Sequence, residues 1–380
     1  MNSLKNIILK LLIKLFALCL IQSSLPNPSF AEFSKASHKR DSHQLNIERA
    51  ASYAFPKENT ENSPKTLSLL ISKNNQILFE RYANTHKAND RQLLWSVSKS
   101  FTSIIIGIAV DEGLLSLEDS ICQYYPEIKA HSSKHCLIKI QDLLHWSSGL
   151  KWTESYEDAP NLAQSSVLQM LYGDGKSDMA GFTLWQPLQH IPNNVWEYSS
   201  GDSNILMGAL RRSIGNDQIY NRYPFEKLFD KLEMKNTSWE QDESGNFVGS
   251  SYVYSSPKDA IKFGELILNN GQYKGEKIIS KKWVQYIQKI APAYLKTREN
   301  WKGKNVPGAH WWLNQKVPEL NLDSNWPNAP ADLISARGHW GQYILISPKE
   351  KLVIVRTGND RGKTAKFNVD EFFKELKDQH

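Results

Sequence analysis

A serine and a lysine three positions apart on a helix share one face, so a hydroxyl and an amine can meet there. If burial strips the amine of its proton, it can accept the serine proton and turn the hydroxyl into a nucleophile. The chain holds three such Ser-x-x-Lys pairs: Ser96/Lys99, Ser148/Lys151 and Ser255/Lys258. Ser148 is followed by the turn former Gly149, and Ser255 by Ser256-Pro257, where proline disfavours helix in the residue before it. Only Ser96 opens a long apolar stretch of helical period, in which Phe101, Ile104, Ile105, Ile108 and Ala109 recur. The N–H groups at the start of such a helix can also stabilise developing negative charge. Taken alone, the pair favours a plainer reading, an N-cap serine beside a solvated lysine.

Two further stretches reverse that weighing. Tyr198-Ser199-Ser200-Gly201-Asp202 precedes an apolar helix at Ile205–Leu210, which puts a phenol in a turn rather than in a core. Gly338-His339-Trp340-Gly341-Gln342 leads into the best-marked hairpin of the chain, Tyr343–Ile346 and Leu352–Arg356. Singly, Tyr198 reads as a surface aromatic and His339 as a satisfied strand-end histidine. Their order behind Ser96 and Lys99 is the signal.

The elements that must hold these residues are legible at both ends of the chain. Leu67–Ile71 and Ile77–Phe79 flank Lys73-Asn74-Asn75 and predict a hairpin. A helix follows over Ser96–Asp111, ended by Gly113. From Leu117 to Ile214 short helices and loops rich in Trp, Ser and Asp are expected, with no clear strand pairs. Strands return at His310–Leu313 and in the last hairpin, and a helix at Val369–Leu376 closes the chain. The pattern predicts an α/β (α+β) fold: one antiparallel sheet built from both chain ends, flanked by helices and interrupted by a mostly helical insertion at about 112–245.

Ser-x-x-Lys, a Tyr-x-Asn-like turn and a Lys-Thr-Gly-like strand, in that order, resemble the serine β-lactamases and penicillin-binding proteins. The chain is most similar to their class C-like branch, which also holds esterases and 6-aminohexanoate-dimer hydrolases. Leu94–Ser103 looks like that branch's nucleophile helix, and Asp142–Leu150 like its LLxHTSGL segment. Tyr254–Asp259, Phe263-Gly264 and Asn270–Gly275 are similar to its later segments, so the likeness covers roughly residues 46 to 360. It implies a β-lactamase/transpeptidase-like fold, Ser96 as nucleophile, and Lys99 and Tyr198 as the proton shuttle. It also implies an oxyanion hole from the N–H groups of Ser96 and Gln342. His339 would orient substrate or bond Tyr198, and Ser200, Trp340 and Gly341 would line the substrate. Two departures bear on substrate: Ser200 stands for the Asn of Tyr-x-Asn, and His339 for the Lys of the third motif. Both favour an esterase or amidase over a β-lactamase or D,D-peptidase, which is the second reading. A catalytically dead relative that binds cell-wall peptide or a partner protein is the third.

The beginning of the chain predicts export. Lys5, Lys10 and Lys14 lead into Leu15–Ile21, and Ser29-Phe30-Ala31 carries small residues at the −3 and −1 places of a cleavage site. Residues 1–31 are therefore expected to leave as a signal peptide, since the apolar run is short of the roughly 20 residues a spanning helix needs. Residues 32–45 read as a linker and 46–380 as the hydrolase domain. No stable membrane anchor is expected after cleavage, and the mature protein is expected in the periplasm or secreted. The leader holds three lysines and no acid, leaving +3 of the overall net charge of +6. Dispersed charge of that size predicts no nucleic-acid partner. Hydrophobic residues at 40% and charged residues at 23% describe a globular chain.

Beyond Cys19 only Cys122 and Cys136 occur. In an oxidising compartment they can form a disulfide, worth about 3 kcal/mol for a loop near 15 residues, or remain two buried thiols. No CxxC pair occurs, and neither a structural metal nor a cofactor is expected. Gly-x-Ser-x-Gly, phosphate-binding glycine loops and HExxH are absent, which argues against an α/β-hydrolase, a nucleotide-binding protein or a zincin. The partner implied is a small ester, amide or peptide; composition says nothing about oligomeric state.

Overall fold

The structure is a computed structural model that describes residues 46–58, 60–297, 305–361 and 366–377. The expected leader at 1–31 and linker at 32–45 lie outside the described residues. Arg49–Lys377 forms one compact unit.

Seven antiparallel strands form the main sheet. They are β1 (Thr66–Lys73), β2 (Gln76–Tyr82), β3 (Val306–Pro307), β4 (Trp312–Leu313), β5 (Ile334–Gly338), β6 (Gln342–Ser347) and β7 (Leu352–Gly358), in the order β2-β1-β7-β6-β5-β4-β3. The first and last strands of the chain pair with each other just inside the β2 edge, with Leu70 opposite Val355 and Ile71 opposite Ile354. Asn74 and Asn75 both take positive φ, the tight-turn geometry that short polar side chains tolerate best, and so close the first hairpin. β7 is buried along its whole length, as expected of a strand covered on both faces, whereas the edge strand β2 leaves Ile77 and Leu78 exposed.

The period of two along β6 shows what covers each face. Ile344 points to the helix Pro257–Leu268, whose Gly264 leaves room only for the Val353 and Ile344 side chains. Tyr343 points the other way, onto Phe367, which also touches Tyr53 of the first helix (46–54) and Phe372 of the last helix, Val369–Leu376. The helix Ser98–Asp111 lies inside the molecule. It is buried from Ser98 to Ala109, and Phe101 stacks on Phe263 with ring centroids 3.8 Å apart. Its polar first half can be buried because backbone groups satisfy it: Ser100 Oγ donates to the His310 carbonyl at 2.8 Å and Ser103 Oγ to the Ala309 carbonyl at 2.9 Å.

Short helices fill much of the stretch between the two groups of main-sheet strands, and Cys122 and Cys136 are joined there in a disulfide with Cα atoms 5.1 Å apart. The sequence expectations differ from the structure at several edges. Ser96 sits in a separate 3₁₀ turn, Trp95–Val97, and the α-helix begins at Ser98. The helix expected at Ile205–Leu210 runs from Ser200 to Ile214, because the Ser199 hydroxyl caps it by accepting from the Asp202 N–H and Gly215 ends it at positive φ. Of His310–Leu313 only Trp312 and Leu313 pair as a strand, since His310 takes positive φ. Strand β5 and a small sheet of Gln92–Leu93, Val253–Ser255 and Thr237–Trp239 carry too short a pattern to be read from sequence.

One close approach brings the sheet to the 3₁₀ turn. Gly338, the last residue of β5, packs so tightly on the Leu94 carbonyl that a Cβ there would be driven into the oxygen. Gly338→Ala is therefore expected to force β5 away from residues 94–97 and to destabilise the fold by about 1–3 kcal/mol, as overpacking does. A thermal melt coincident with wild type would show that the approach is not tight.

Candidate active site

Ser96 is half-buried at the 3₁₀ turn, and Lys99 is 1% exposed in the first turn of the following helix. The turn places Lys99 Nζ 2.9 Å from Ser96 Oγ and 3.0 Å from the Ser250 carbonyl oxygen, which accepts from the amine. The buried stretch around Ser250 is itself fixed: the Ser250 N–H donates to Asn204 Oδ1 at 3.2 Å, and Thr102 Oγ1 donates to the Gly249 carbonyl at 2.8 Å. Burial pushes the Lys99 amine down to about 8, and the Glu154 carboxylate acts in the opposite direction. A lysine in such surroundings exchanges its proton near neutral pH, which an exposed lysine does not.

Tyr198 comes from the turn before the helix Ser200–Ile214 and meets this pair. Lys99 Nζ is 5.0 Å from the centroid of its ring, and the ring packs between Trp146 and Trp312 at 4.8 and 5.5 Å. Burial raises the phenol pKa, with Glu154 adding to the effect, while a side-chain hydrogen bond with Ser96 works the other way. The phenol therefore keeps its proton across the physiological range. Beneath it His310 stacks on Trp146 with centroids 4.8 Å apart, and its ring nitrogens lie 2.7 Å from Ser203 Oγ and 2.8 Å from the Leu144 carbonyl. Burial pushes His310 down to about 3, so it is neutral at pH 7 and adds no second cation beside Lys99.

The third segment is the turn from β5 to β6, and both strands touch the Trp95–Val97 turn. Trp340 and Gly341 take positive φ there, and the rings of His339 and Trp340 lie 5.6 and 5.1 Å from Trp95, edge to face. His339 Nε2 is 2.7 Å from Glu157 Oε1, which also accepts from Trp340 Nε1 at 2.9 Å, and Tyr156 stacks on the His339 ring. His339 thus engages Glu157 rather than the Tyr198 hydroxyl considered from the sequence. Gln342 anchors the turn, because its side-chain amide donates to the Gly358 carbonyl at 2.6 Å and its Oε1 accepts the Gly358 N–H at 3.1 Å. Arg356, fully buried against Asp360, donates to the Gly341 carbonyl at 2.8 Å. The two proposed oxyanion donors therefore belong to segments that touch.

Ser200 does not stand free at the site. It is fully buried, and both its hydroxyl and its N–H donate to Glu154, at 2.5 and 2.9 Å. The other two Ser-x-x-Lys pairs are structural: Ser148 Oγ donates to Asp202, Ser255 Oγ bonds the Thr237 hydroxyl, and Lys258 pairs with Glu80. Glu154, Glu157, Tyr156, Ser250 and His310 complete the site without having been singled out for it. The first three lie in Lys151–Asp158, a polar run with no periodicity, so sequence pattern carries no mark of them. Among the described residues no group of three or more His, Cys, Asp and Glu could hold a metal, and no helix is long and apolar enough to cross a membrane.

The chain is similar to known proteins in sequence and in fold. The chain is 22% identical over 298 residues to the 6-aminohexanoate-dimer hydrolase of Paenarthrobacter ureafaciens, a match covering 77% of this chain and 72% of the relative. It is 24% identical over 325 residues to protein flp of Staphylococcus aureus strain MW2, of which it spans 59%. In three dimensions it is similar to a 6-aminohexanoate-dimer hydrolase homologue from Bacillus anthracis, with a TM-score of 0.64 and 21% identity, covering 82% of this chain and 78% of the other. It is also similar to a class C β-lactamase, with a TM-score of 0.59 and 16% identity, covering 87% and 95% of the two chains. These structures share the β-lactamase/transpeptidase fold. The Beta-lactamase family matches residues 57–378, and the chain belongs to that family.

Proposed function

We propose that this protein is a serine hydrolase that cleaves small esters or amides through an acyl-enzyme. The observation that carries the reading is the buried Lys99 amine, 2.9 Å from the hydroxyl of the half-buried Ser96 and beside the Tyr198 phenol. A neutral Lys99 keeps two N–H groups, one of which the Ser250 carbonyl accepts, and its lone pair is free for the Ser96 proton. As that proton moves to Lys99, Ser96 Oγ bonds to the substrate carbonyl carbon and the carbonyl oxygen gains charge facing the N–H groups of Ser96 and Gln342. The proton then passes, with the protonated Tyr198 phenol as relay, to the leaving alkoxide or amine as its bond to the carbonyl carbon breaks. Water repeats the cycle on the ester and releases Ser96.

The surroundings support an esterase or amidase over a β-lactamase or D,D-peptidase. Ser200, in the place of the motif asparagine, spends its hydroxyl and N–H on Glu154, so it offers nothing to an acylamino side chain. His339, in the place of the motif lysine, is engaged by Glu157 and is no free cation for a β-lactam carboxylate. We also propose export to the periplasm or medium, supported by the leader-like first 31 residues and by the disulfide, which persists in oxidising compartments.

Incubation with a fluorophosphonate probe and p-nitrophenyl acetate tests the reading. Wild type is expected to be labelled and to turn over; Ser96→Ala is expected to do neither, and Lys99→Ala to lose turnover by about 10²–10⁴-fold, the usual worth of a general base. Equal signal from Ser96→Ala and wild type would refute the enzyme, and efficient nitrocefin turnover would move the substrate assignment to β-lactams. Because the competent form has Lys99 neutral, kcat/KM is expected to rise with pH through about 8 and to fall tenfold per unit below it. A profile flat from pH 6 to 9 would exclude Lys99 as the base.

A further inference from the structure

Glu154 belongs to none of the motifs, yet it joins the two sides of the site. Its carboxylate accepts four hydrogen bonds. Trp152 Nε1 at 2.6 Å and the Ser200 N–H at 2.9 Å reach Oε2, and Ser200 Oγ at 2.5 Å and the Tyr156 hydroxyl at 3.1 Å reach Oε1. Two of these donors come from the loop at 152–156 and two from the first turn of the helix that follows Tyr198. None of the four is cationic, so the carboxylate is held in place without its charge being cancelled.

That charge acts on both proton carriers, opposing the burial of Lys99 and reinforcing the burial of Tyr198. The other groups facing Lys99 are the Ser96 hydroxyl, the Ser250 carbonyl, the Tyr198 ring and, from the turn between β3 and β4, the neutral His310. The Glu154 carboxylate is thus a charged group whose field reaches Lys99.

We propose that Glu154 is a positioning residue: it ties the start of the helix behind Tyr198 to the loop at 152–156, and its fixed negative charge sets how the proton is shared among Ser96, Lys99 and Tyr198. The proposal rests on the serine-hydrolase reading above. Its chemical sense is that Lys99 must hold the proton taken from Ser96 until the leaving group accepts it. A negative charge nearby steadies the ammonium during that interval.

The test is the pH profile of kcat/KM for p-nitrophenyl acetate in wild type, Glu154→Gln and Glu154→Asp, with Ser96→Ala as control. Removing the negative charge favours the neutral amine, so the acid limb of Glu154→Gln is expected about 0.5–1 pH unit below wild type. Glu154→Asp keeps the charge and is expected to keep the wild-type limb whatever happens to kcat. Glu154→Met, of similar length and uncharged, is the second neutral variant, and thermal melts establish that each variant is folded. A limb that stays put in a folded neutral variant, with Ser96→Ala inactive, overturns the proposal and leaves the hydrolase standing. A limb that moves equally in Glu154→Asp and Glu154→Gln overturns the role of the charge. Turnover by Ser96→Ala equal to wild type overturns both readings.

Discussion

A lysine amine enclosed with only neutral groups in contact is the constraint on which the rest of the structure turns. Among the described residues Lys99 bonds a hydroxyl and a carbonyl and no carboxylate, so burial works against its ammonium form with little relief. The features around it keep that state in being. The helix that carries it is buried from Ser98 to Ala109, Asn204 and Thr102 hold the Ser250 stretch against it, and His310 remains neutral beneath Trp146. The Glu154 carboxylate acts on the amine in the direction opposite to burial.

Geometry at the other side of Ser96 depends on a turn that cannot move freely. Gly338 touches the Leu94 carbonyl, Arg356 and Asp360 grip Gly341 from below, and the Gln342 side chain is locked to Gly358. A buried Arg–Asp pair is seldom a net source of stability, but losing one partner leaves the other charge buried and uncompensated. Backbone N–H groups can stabilise an oxyanion only if they are already aimed before the charge appears. The aromatic rings of Trp95, His339, Trp340 and Tyr156 pack against one another at the same corner.

Much of this was legible in the sequence where local rules apply. Ser96 and Lys99 are three apart on a helix-forming run, Asn74-Asn75 marks a tight turn, and the alternation in β6 and β7 marks the final hairpin. The order of Tyr198 and His339 behind them pointed to the fold. What stayed hidden depends on tertiary approach. Ser200 could be located, but not its bond to Glu154, because 46 residues separate them. His310 reads as a strand residue until its positive φ turns the ring under Trp146. Trp95 also takes positive φ just ahead of Ser96, a conformation that tertiary contacts and not residue type impose. Strands of two or three residues, such as Gln92–Leu93, have no period to detect.

The most direct measurement is an NMR titration of the Lys99 amine in lysine-labelled protein, with the resonance assigned by its loss in Lys99→Arg. A midpoint near 8, with the neutral amine formed above it, is the expected result. A midpoint at the ordinary lysine value of 10.5 would contradict the account, because Lys99 would then be a structural cation rather than the base that activates Ser96.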